Sequence, residues 1–502
     1  MTGMRGAPRA HTGRASWLAA ARLVLGAIAA AVALTAWALT GPVGAAPDDD
    51  FHLASLWCAP TASADFCEPL PDGERGEVRL AVAGGSRCFV IDEAASGACT
   101  REALRDDRRA VTDRANFAVY NPQGFYTLLG PLAGEDIEAS VLAVRLVGAG
   151  VFLALVISAF LLLPPARRPA LVWGVLLTIV PAGLDLIPST NPQSWAFGAA
   201  AVTALALLGA TETRGPRRLA LGGLAIVATA IAVAARADAA AVALLAVGVV
   251  LILRLRPDRR AWLLLAGLAL VAGLGVTGLL TTGQGDYVLP RSGGYGPELL
   301  GLALTDALAM PILWYRVLAG PVGWQDVPLS PAVGIIIGLL VLAATIAAFR
   351  AGDRRMRWAL ALVIAVLWLL PLYLLVNNGS LVGMYVQPRY LAPIVMLLGT
   401  LLPLRGAATL RLPGWAAWSI AGALAVAHAA ALHGVIRRYA TGTDVTGFDL
   451  DAGAEWSSPM GPSPMTLWWI GSLAWALLLA AAAPLLAAQK RTSTSEASCA
   501  GG

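Results

Sequence analysis

A succession of long apolar runs dictates what this chain can become. They fall at 16–40, 139–163, 170–187, 195–211, 219–235, 239–253, 261–280, 332–349, 358–376, 390–404, 415–435 and 466–487. A run of roughly 18 or more apolar residues is long enough to cross the hydrocarbon core of a bilayer. Within that core every backbone polar group must be paired inside its own segment, so such runs have to be helices. The reading is an all-α polytopic membrane protein with about 12 transmembrane helices. Only 13% of the 502 residues are charged and 58% are hydrophobic, where a soluble domain carries about 25% charge.

Arginine sets the orientation. Arg5, Arg9, Arg14 and Arg22 precede or open the first run, and positive charge is retained in the cytoplasm. Alternate loops then carry Arg167/Arg168, Arg214/Arg217/Arg218, Arg254/Arg256/Arg259/Arg260, Arg350/Arg354/Arg355/Arg357, Arg405/Arg411 and Lys490/Arg491. Both termini are therefore expected inside. The first run could serve as a signal peptide, with Val43-Gly44-Ala45 as a cleavage site, but it is longer than a usual signal core. An uncleaved helix is the preferred reading. The formal charge of +5 is attributed to this topology. No basic patch is interleaved with aromatics, so nucleic acid is not an expected partner.

This parity divides the chain. Residues 1–15 form a cytoplasmic N-terminus and 16–40 the first helix. Residues 41–137 form an extracytoplasmic loop, and 138–488 a multi-helix domain with outer loops 281–331 and 436–465. A disordered tail, 489–502, ends the chain. Segment 298–320 is apolar but contains Asp306, Pro311 and Arg316. If it spanned, the Arg350–Arg357 group would fall outside, so it is expected to be interfacial or re-entrant on the outer face.

Four of the five cysteines lie in the 41–137 loop: Cys58, Cys67, Cys88 and Cys99. Three pairings are open. An extracytoplasmic setting favours disulfides, and Cys58–Cys67 with Cys88–Cys99 is the simplest arrangement. No C-x-x-C pair occurs, which weakens a zinc site. Alternation over Val78–Val82 and Arg87–Ile91 suggests a small β-hairpin, a piece that needs staples to persist.

Chemistry concentrates at the mouth of the first helix. Pro47-Asp48-Asp49-Asp50-Phe51-His52 places four ionisable groups in five residues. Crowded carboxylates raise one another's pKa, and one of them can take a proton as a general base or hold a divalent cation. A helix starting at Asp48 would put His52 on the same face. The plainer alternative is that the Asp residues cap that helix, and Asp50 is assigned this role. Arg389-Tyr390 opens the tenth span from outside; its guanidinium suits a lipid phosphate, or the pair is an ordinary interfacial anchor. Arg145 lies two turns into the second span, where a buried Arg needs a partner. Arg236 and Asp238 read as a local ion pair. Asp185 precedes a polar turn, Pro188 to Gln193, that lines an outer cavity or caps two helices. His428 and His433 are five apart and do not make a metal pair. No P-loop, nucleophile elbow or H-E-x-x-H is present.

These residues fall into a recognisable order. Pro47-Asp48-Asp49-x-x-His52, Tyr120-Asn121-Pro122 with Tyr126, Arg145, Asn191-Pro192, Gly323-Trp324-Gln325-Asp326, and Gln387-x-Arg389-Tyr390-x-x-Pro393 resemble the motifs of the bacterial DUF2142 membrane proteins. Those in turn look like membrane-embedded GT-C-type glycosyltransferases. The resemblance runs from about residue 16 to 450, with Asp standing where the family tends to have Glu. It implies transfer of a sugar from a polyprenyl-phosphate donor to a cell-envelope glycan acceptor at the outer face of the cell membrane. Asp48 or Asp49, with His52, would be catalytic or would ligate a cation. Tyr120, Pro122, Tyr126, Arg145, Asn191, Gln387, Arg389 and Tyr390 would bind substrate. No cofactor other than a cation at the acidic motif is implied, and membrane lipids are the remaining partner. The alternatives are a polysaccharide or lipid transporter, with carboxylates carrying protons, and a non-enzymatic envelope scaffold.

Overall fold

The computed structural model describes residues 10–254, 259–283, 297–320, 322–384, 386–405 and 408–487. The expectations for residues 1–9, for Arg256, for residues 284–296 of outer loop 281–331, and for the tail with Lys490 and Arg491 lie outside the described residues. The N-terminal helix α1 covers Ala10–Ala38 and leads to α2, Asp49–Trp57. The outer loop adds α3 (Thr100–Ala103), α4 (Gly124–Leu129) and strands β1 (Cys67–Pro69), β2 (Gly76–Arg79) and β3 (Arg109–Thr112). The first helices of the multi-helix domain are α5 (Ile137–Leu162), α6 (Arg168–Thr178), α7 (Ala182–Leu186), α8 (Gln193–Glu212) and α9 (Pro216–Ala235). They are followed by α10 (Ala239–Arg254), α11 (Arg259–Thr281), α12 (Pro297–Ala319), α13 (Pro331–Ala351) and α14 (Arg354–Asn378). Last come α15 (Pro388–Leu401), a short ribbon of β4 (Leu404–Arg405) and β5 (Ala408–Thr409), then α16 (Gly414–Ala440) and α17 (Pro464–Leu486).

Every apolar run is helical. Among the described residues nine helices are long and apolar enough to cross a membrane: α1, α5, α8, α9, α12, α13, α14, α16 and α17. Helices α6, α10 and α15 are apolar but shorter. The expected 170–187 span is divided at Pro181, which lacks an N–H and cannot continue the ladder. Segment 298–320 is one continuous helix of spanning length, with Pro311 inside it. Its Asp306 accepts from the Val382 N–H at 2.9 Å, and Arg316 reaches the Gln325 side chain at 3.0 Å.

Helix α8 is the axis of the bundle, buried along nearly its whole length and packed on α5, α9, α10 and α15. Its Ala and Gly positions permit close approach, as small residues do between membrane helices. Helix α15 is seated on α6 in the same way. A Cβ at Gly174 would collide with the Thr400 backbone, and one at Gly399 with Gly174 and Thr178. This contact fixes the helix whose first turn carries Arg389.

The outer loop is a folded unit. β2 pairs antiparallel with β1 and β3 in a three-stranded sheet. The expected hairpin partner, Arg87–Ile91, is not a strand. Gly85–Val90 forms a 3₁₀ turn after Gly84, whose φ of 106° reverses the chain. The Phe89 carbonyl goes to Arg438 instead of to a ladder. Both neighbouring disulfides form, Cys58–Cys67 and Cys88–Cys99. A second apolar core joins Trp57, Phe66 and Val78 of the loop to Val141 and Val144 of α5, Trp195 of α8 and Ala235 at the end of α9. The loop therefore shares a core with the bundle. Replacing Cys88 and Cys99 by Ser is expected to destabilise the protein by about 2–3 kcal/mol, read as a lower unfolding temperature of the purified protein. No change would show that the shared core alone holds the loop.

Candidate functional site

The acidic turn is held between three parts of the bundle. Asp48 precedes α2 with φ 61° and ψ 21°, in the left-handed region. Few residues other than Gly adopt it, and Asp is among the tolerant ones. An N-cap residue normally lies in the extended region and caps with its side chain. Asp48 does neither, and its side chain makes no cap hydrogen bond. Its Oδ2 instead meets Nη2 of Arg389 at 2.7 Å, across 341 residues. Strained backbone of this kind persists where surrounding structure imposes it, often at functional sites.

The three carboxylates have separate partners. Asp49 is wholly buried; one oxygen accepts from the Thr190 hydroxyl and the other from the Ala46 N–H at 3.0 Å. Asp50 was expected to cap α2. It is instead an ion-pair anchor, accepting from Arg114 at 2.9 Å, with Arg87 at 3.5 Å. The Asp48 side chain keeps 36% of its surface exposed. It is the carboxylate of this turn that a substrate can reach. Among the described residues no three His, Cys, Asp or Glu side chains are grouped to hold a metal ion.

Arg389 sits at the first turn of α15, just after Pro388. Its Nη2 takes Asp48, while its buried Nε has no hydrogen-bond partner. Gln193, at the start of α8, donates to the Arg389 carbonyl. Asn191 in the same turn donates to the Pro47 carbonyl at 2.9 Å. One polar turn before α8 thus ties the acidic turn and α15 together. Gln387 accepts from Gln325, which also binds Arg316. Tyr390 lies beside two guanidinium groups, Arg389 at 5.1 Å and Arg236 at 5.4 Å from its ring centre.

Arg236 makes the local pair expected with Asp238, at 2.8 Å. Spacing gives no sign of its second neighbour, since Tyr390 lies over 150 positions away. It also acts electrostatically on Asp48 and His52. The polar turn Ser189–Gln193 shows in the sequence, but the role of Thr190 does not.

His52 is buried, and its Nδ1 lies 2.8 Å from the Tyr126 hydroxyl. Tyr120 stacks edge-on against Phe51, and half-buried Pro122 leads from Asn121 into α4. Asn116 fixes that segment by bonding both the carbonyl and the N–H of Asn121.

Arg145 is placed differently from a phosphate ligand. Its guanidinium donates to the carbonyls of Ala38, Gly41 and Pro42 at 2.6–3.0 Å. These lie at the end of α1, where carbonyls lack helical partners. Arg145 therefore closes α1 and shapes the bend that delivers Asp48. Beyond it, Asp185 accepts from the Gly323 N–H at 3.1 Å. Trp324 donates to the Gly44 carbonyl at 2.7 Å. Asp326 pairs with fully buried Arg438 at 2.9 Å.

Protonation follows from these surroundings. Burial raises the Asp48 carboxyl, but Arg389 and the other nearby cations outweigh it and hold it below its ordinary value. Burial lowers His52 to about 3, so its ring is neutral at pH 7 and can act only as a neutral donor or acceptor. Burial lifts Asp49 from an ordinary 3.8 to about 7, partly offset by the Thr190 hydrogen bond. A carboxyl whose folded value is raised stabilises the fold when protonated. That contribution is complete below the unfolded value and is lost as pH climbs from about 4 to about 7. The neutralised His52 acts in the opposite sense, but equally in parent and variant. Asp49→Asn is therefore expected to gain unfolding temperature relative to the parent across this window. A pH-independent difference would contradict the assignment.

No curated protein matches the chain. The family model for DUF2142, described as a predicted membrane protein, matches residues 32–398 and so takes in the acidic turn, the polar turn before α8 and Arg389. With its array of apolar helices, the chain belongs to the DUF2142 family of multi-pass membrane proteins.

Proposed function

We propose that this protein is a GT-C-like glycosyltransferase that moves a sugar from a polyprenyl-phosphate donor to a cell-envelope glycan. The Asp48–Arg389 pair carries this reading. In the resting state the two groups neutralise each other at the mouth of the bundle. A donor phosphate arriving on Arg389 displaces the carboxylate, because the guanidinium fork binds oxyanions in two-pronged fashion. The freed Asp48 then faces an acceptor hydroxyl. As that oxygen bonds to the anomeric carbon, its proton passes to the Asp48 carboxylate. The bond from the anomeric carbon to the phosphate oxygen breaks, and the lipid phosphate leaves with its electron pair. Arg389, with Arg236 nearby, offsets the charge that develops on it. Asp48 is the residue that would hold a divalent cation, which would supply further neutralisation of the charge on the leaving phosphate.

In this reading the chain crosses the membrane twelve times, with both ends inside and the acidic turn outside. The Arg-bearing loops Arg167/Arg168, Arg217/Arg218 and Arg350–Arg357 support it. Helix α12, although long enough to cross, is then kept at the outer face, because a thirteenth span would carry Arg350–Arg357 outside; its contacts with Val382 and Gln325, both in outer loops of this count, agree. The test is transfer of labelled sugar from synthetic polyprenyl-phosphate donors in proteoliposomes. Donor-dependent labelling of glycan is expected. Coupled proton flux without transfer would point to a transporter and defeat the reading.

A further inference from the structure

We propose that a second subsite, beside the Asp48–Arg389 pair, receives an acceptor saccharide that carries a negative charge. The assignment rests on the acceptor being a saccharide, as proposed above. Its residues are Arg87, Arg114, Phe51, Tyr120 and Trp324, none of which is used in the donor site. Arg114 and Arg87 converge on one oxygen of Asp50, at 2.9 and 3.5 Å. Asp48 with Arg389 and Asp238 with Arg236 are one-to-one pairs. Here two cations share one carboxylate, leaving an excess positive charge. Asp50 is nearly enclosed at 8% side-chain exposure, while Arg87 and Arg114 remain 35% and 54% exposed. The excess charge thus faces outward.

Aromatic rings frame both cations. Arg114 lies 5.7 Å from the Phe51 ring centre, and Arg87 lies 5.2 Å from that of Trp324. Tyr120 extends the Phe51 side as an edge-on neighbour and is itself surface-exposed. Sugar rings present an apolar face of C–H groups that packs on aromatic planes, and recognition sites combine such planes with a few placed polar groups. Guanidinium forks between them match a carboxylate or phosphate on that sugar. Arg114 acts electrostatically on His52, as do Asp48 and Arg389, so the subsite borders the proposed base. An anionic lipid headgroup shares the oxyanion chemistry, but it has no use for the aromatic frame.

The test is binding to the purified full-length protein, without donor, so that it reads this subsite and not transfer. The probes are a galacturonic acid trimer, the neutral galactose trimer and phosphatidylglycerol vesicles. The acidic trimer is expected to bind roughly ten-fold tighter than the neutral one, with the preference shrinking as salt rises. Arg87→Gln with Arg114→Gln should abolish the preference, and Arg114→Lys should keep most of it. If the double variant does not fold, exposed Arg114→Gln alone should still weaken the acidic trimer selectively. Arg75→Gln, at an exposed pair with Asp72 on the turn before β2, should bind both trimers as the parent does, whether or not the transfer reading holds. Equal binding of the two trimers, an unchanged preference in the Arg114→Gln variant, or selective capture of vesicles alone would overturn the proposal.

Discussion

Asp48→Asn is expected to lower sugar transfer by roughly 10²–10⁴-fold, the range lost when a general base is removed, with the unfolding temperature nearly unchanged. Asn is close to Asp in size and also tolerates the left-handed backbone found here. Its amide oxygen can still accept from Arg389, so the geometry survives while the proton acceptor is lost. Asp49→Asn provides the contrast. Asp49 is enclosed, and both its oxygens are committed to Thr190 and Ala46. Its replacement should alter stability and its pH dependence far more than turnover. Sequence alone leaves Asp48 and Asp49 equivalent as candidates; exposure and partners separate them. Loss of transfer in Asp49→Asn with normal transfer in Asp48→Asn would reverse the assignment.

Arg438→Met is expected to be the most destabilising single change away from the acidic turn, at about 3–5 kcal/mol. Arg438 is fully buried near the end of α16 and faces Asp326 at 2.9 Å. It also donates to the carbonyls of Ala95 and Phe89 at 2.7 Å each. Removing the guanidinium strands a mostly buried carboxylate and two carbonyls. Both carbonyls lie inside the loop closed by the Cys88–Cys99 bridge, so the stapled segment should loosen along with the loss of stability. Thermal unfolding gives the magnitude, and hydrogen exchange over residues 85–99 locates it. Adding Asp326→Leu should recover part of the loss, because the stranded charge is then gone. A normal unfolding temperature in Arg438→Met would mean that the Asp326 pair is not formed as described.

What was legible in the sequence follows from which forces act locally. Apolar runs read directly as helices because bilayer thickness sets their length and backbone satisfaction sets their form. The disulfide partners were legible because each lies close to its mate in the chain. The Asp48–Arg389 meeting was not available from spacing; motif order was the only cue that these distant positions belong together. Three roles were hidden. Arg145 reads as a buried cation needing a partner, a carboxylate or a phosphate, but the unpaired carbonyls at the end of α1 serve it as well. Asp50 reads as a helix cap, yet Arg114 lies 64 positions away and brings full charge to it. Arg236 satisfies its neighbour Asp238, and nothing local hints at Tyr390. In each case tertiary packing supplied a partner that no local pattern encodes.

On donor binding, Arg389 should exchange the Asp48 carboxylate for the donor phosphate. The most direct measurement is a structure of the purified protein with a non-transferable polyprenyl-phosphonate sugar. The phosphonate is expected within hydrogen-bonding distance of the Arg389 guanidinium, with the 2.7 Å contact to Asp48 opened and the Asp48 carboxylate turned to face the anomeric carbon. An intact Asp48–Arg389 pair, with the analogue bound elsewhere on the protein, would contradict it.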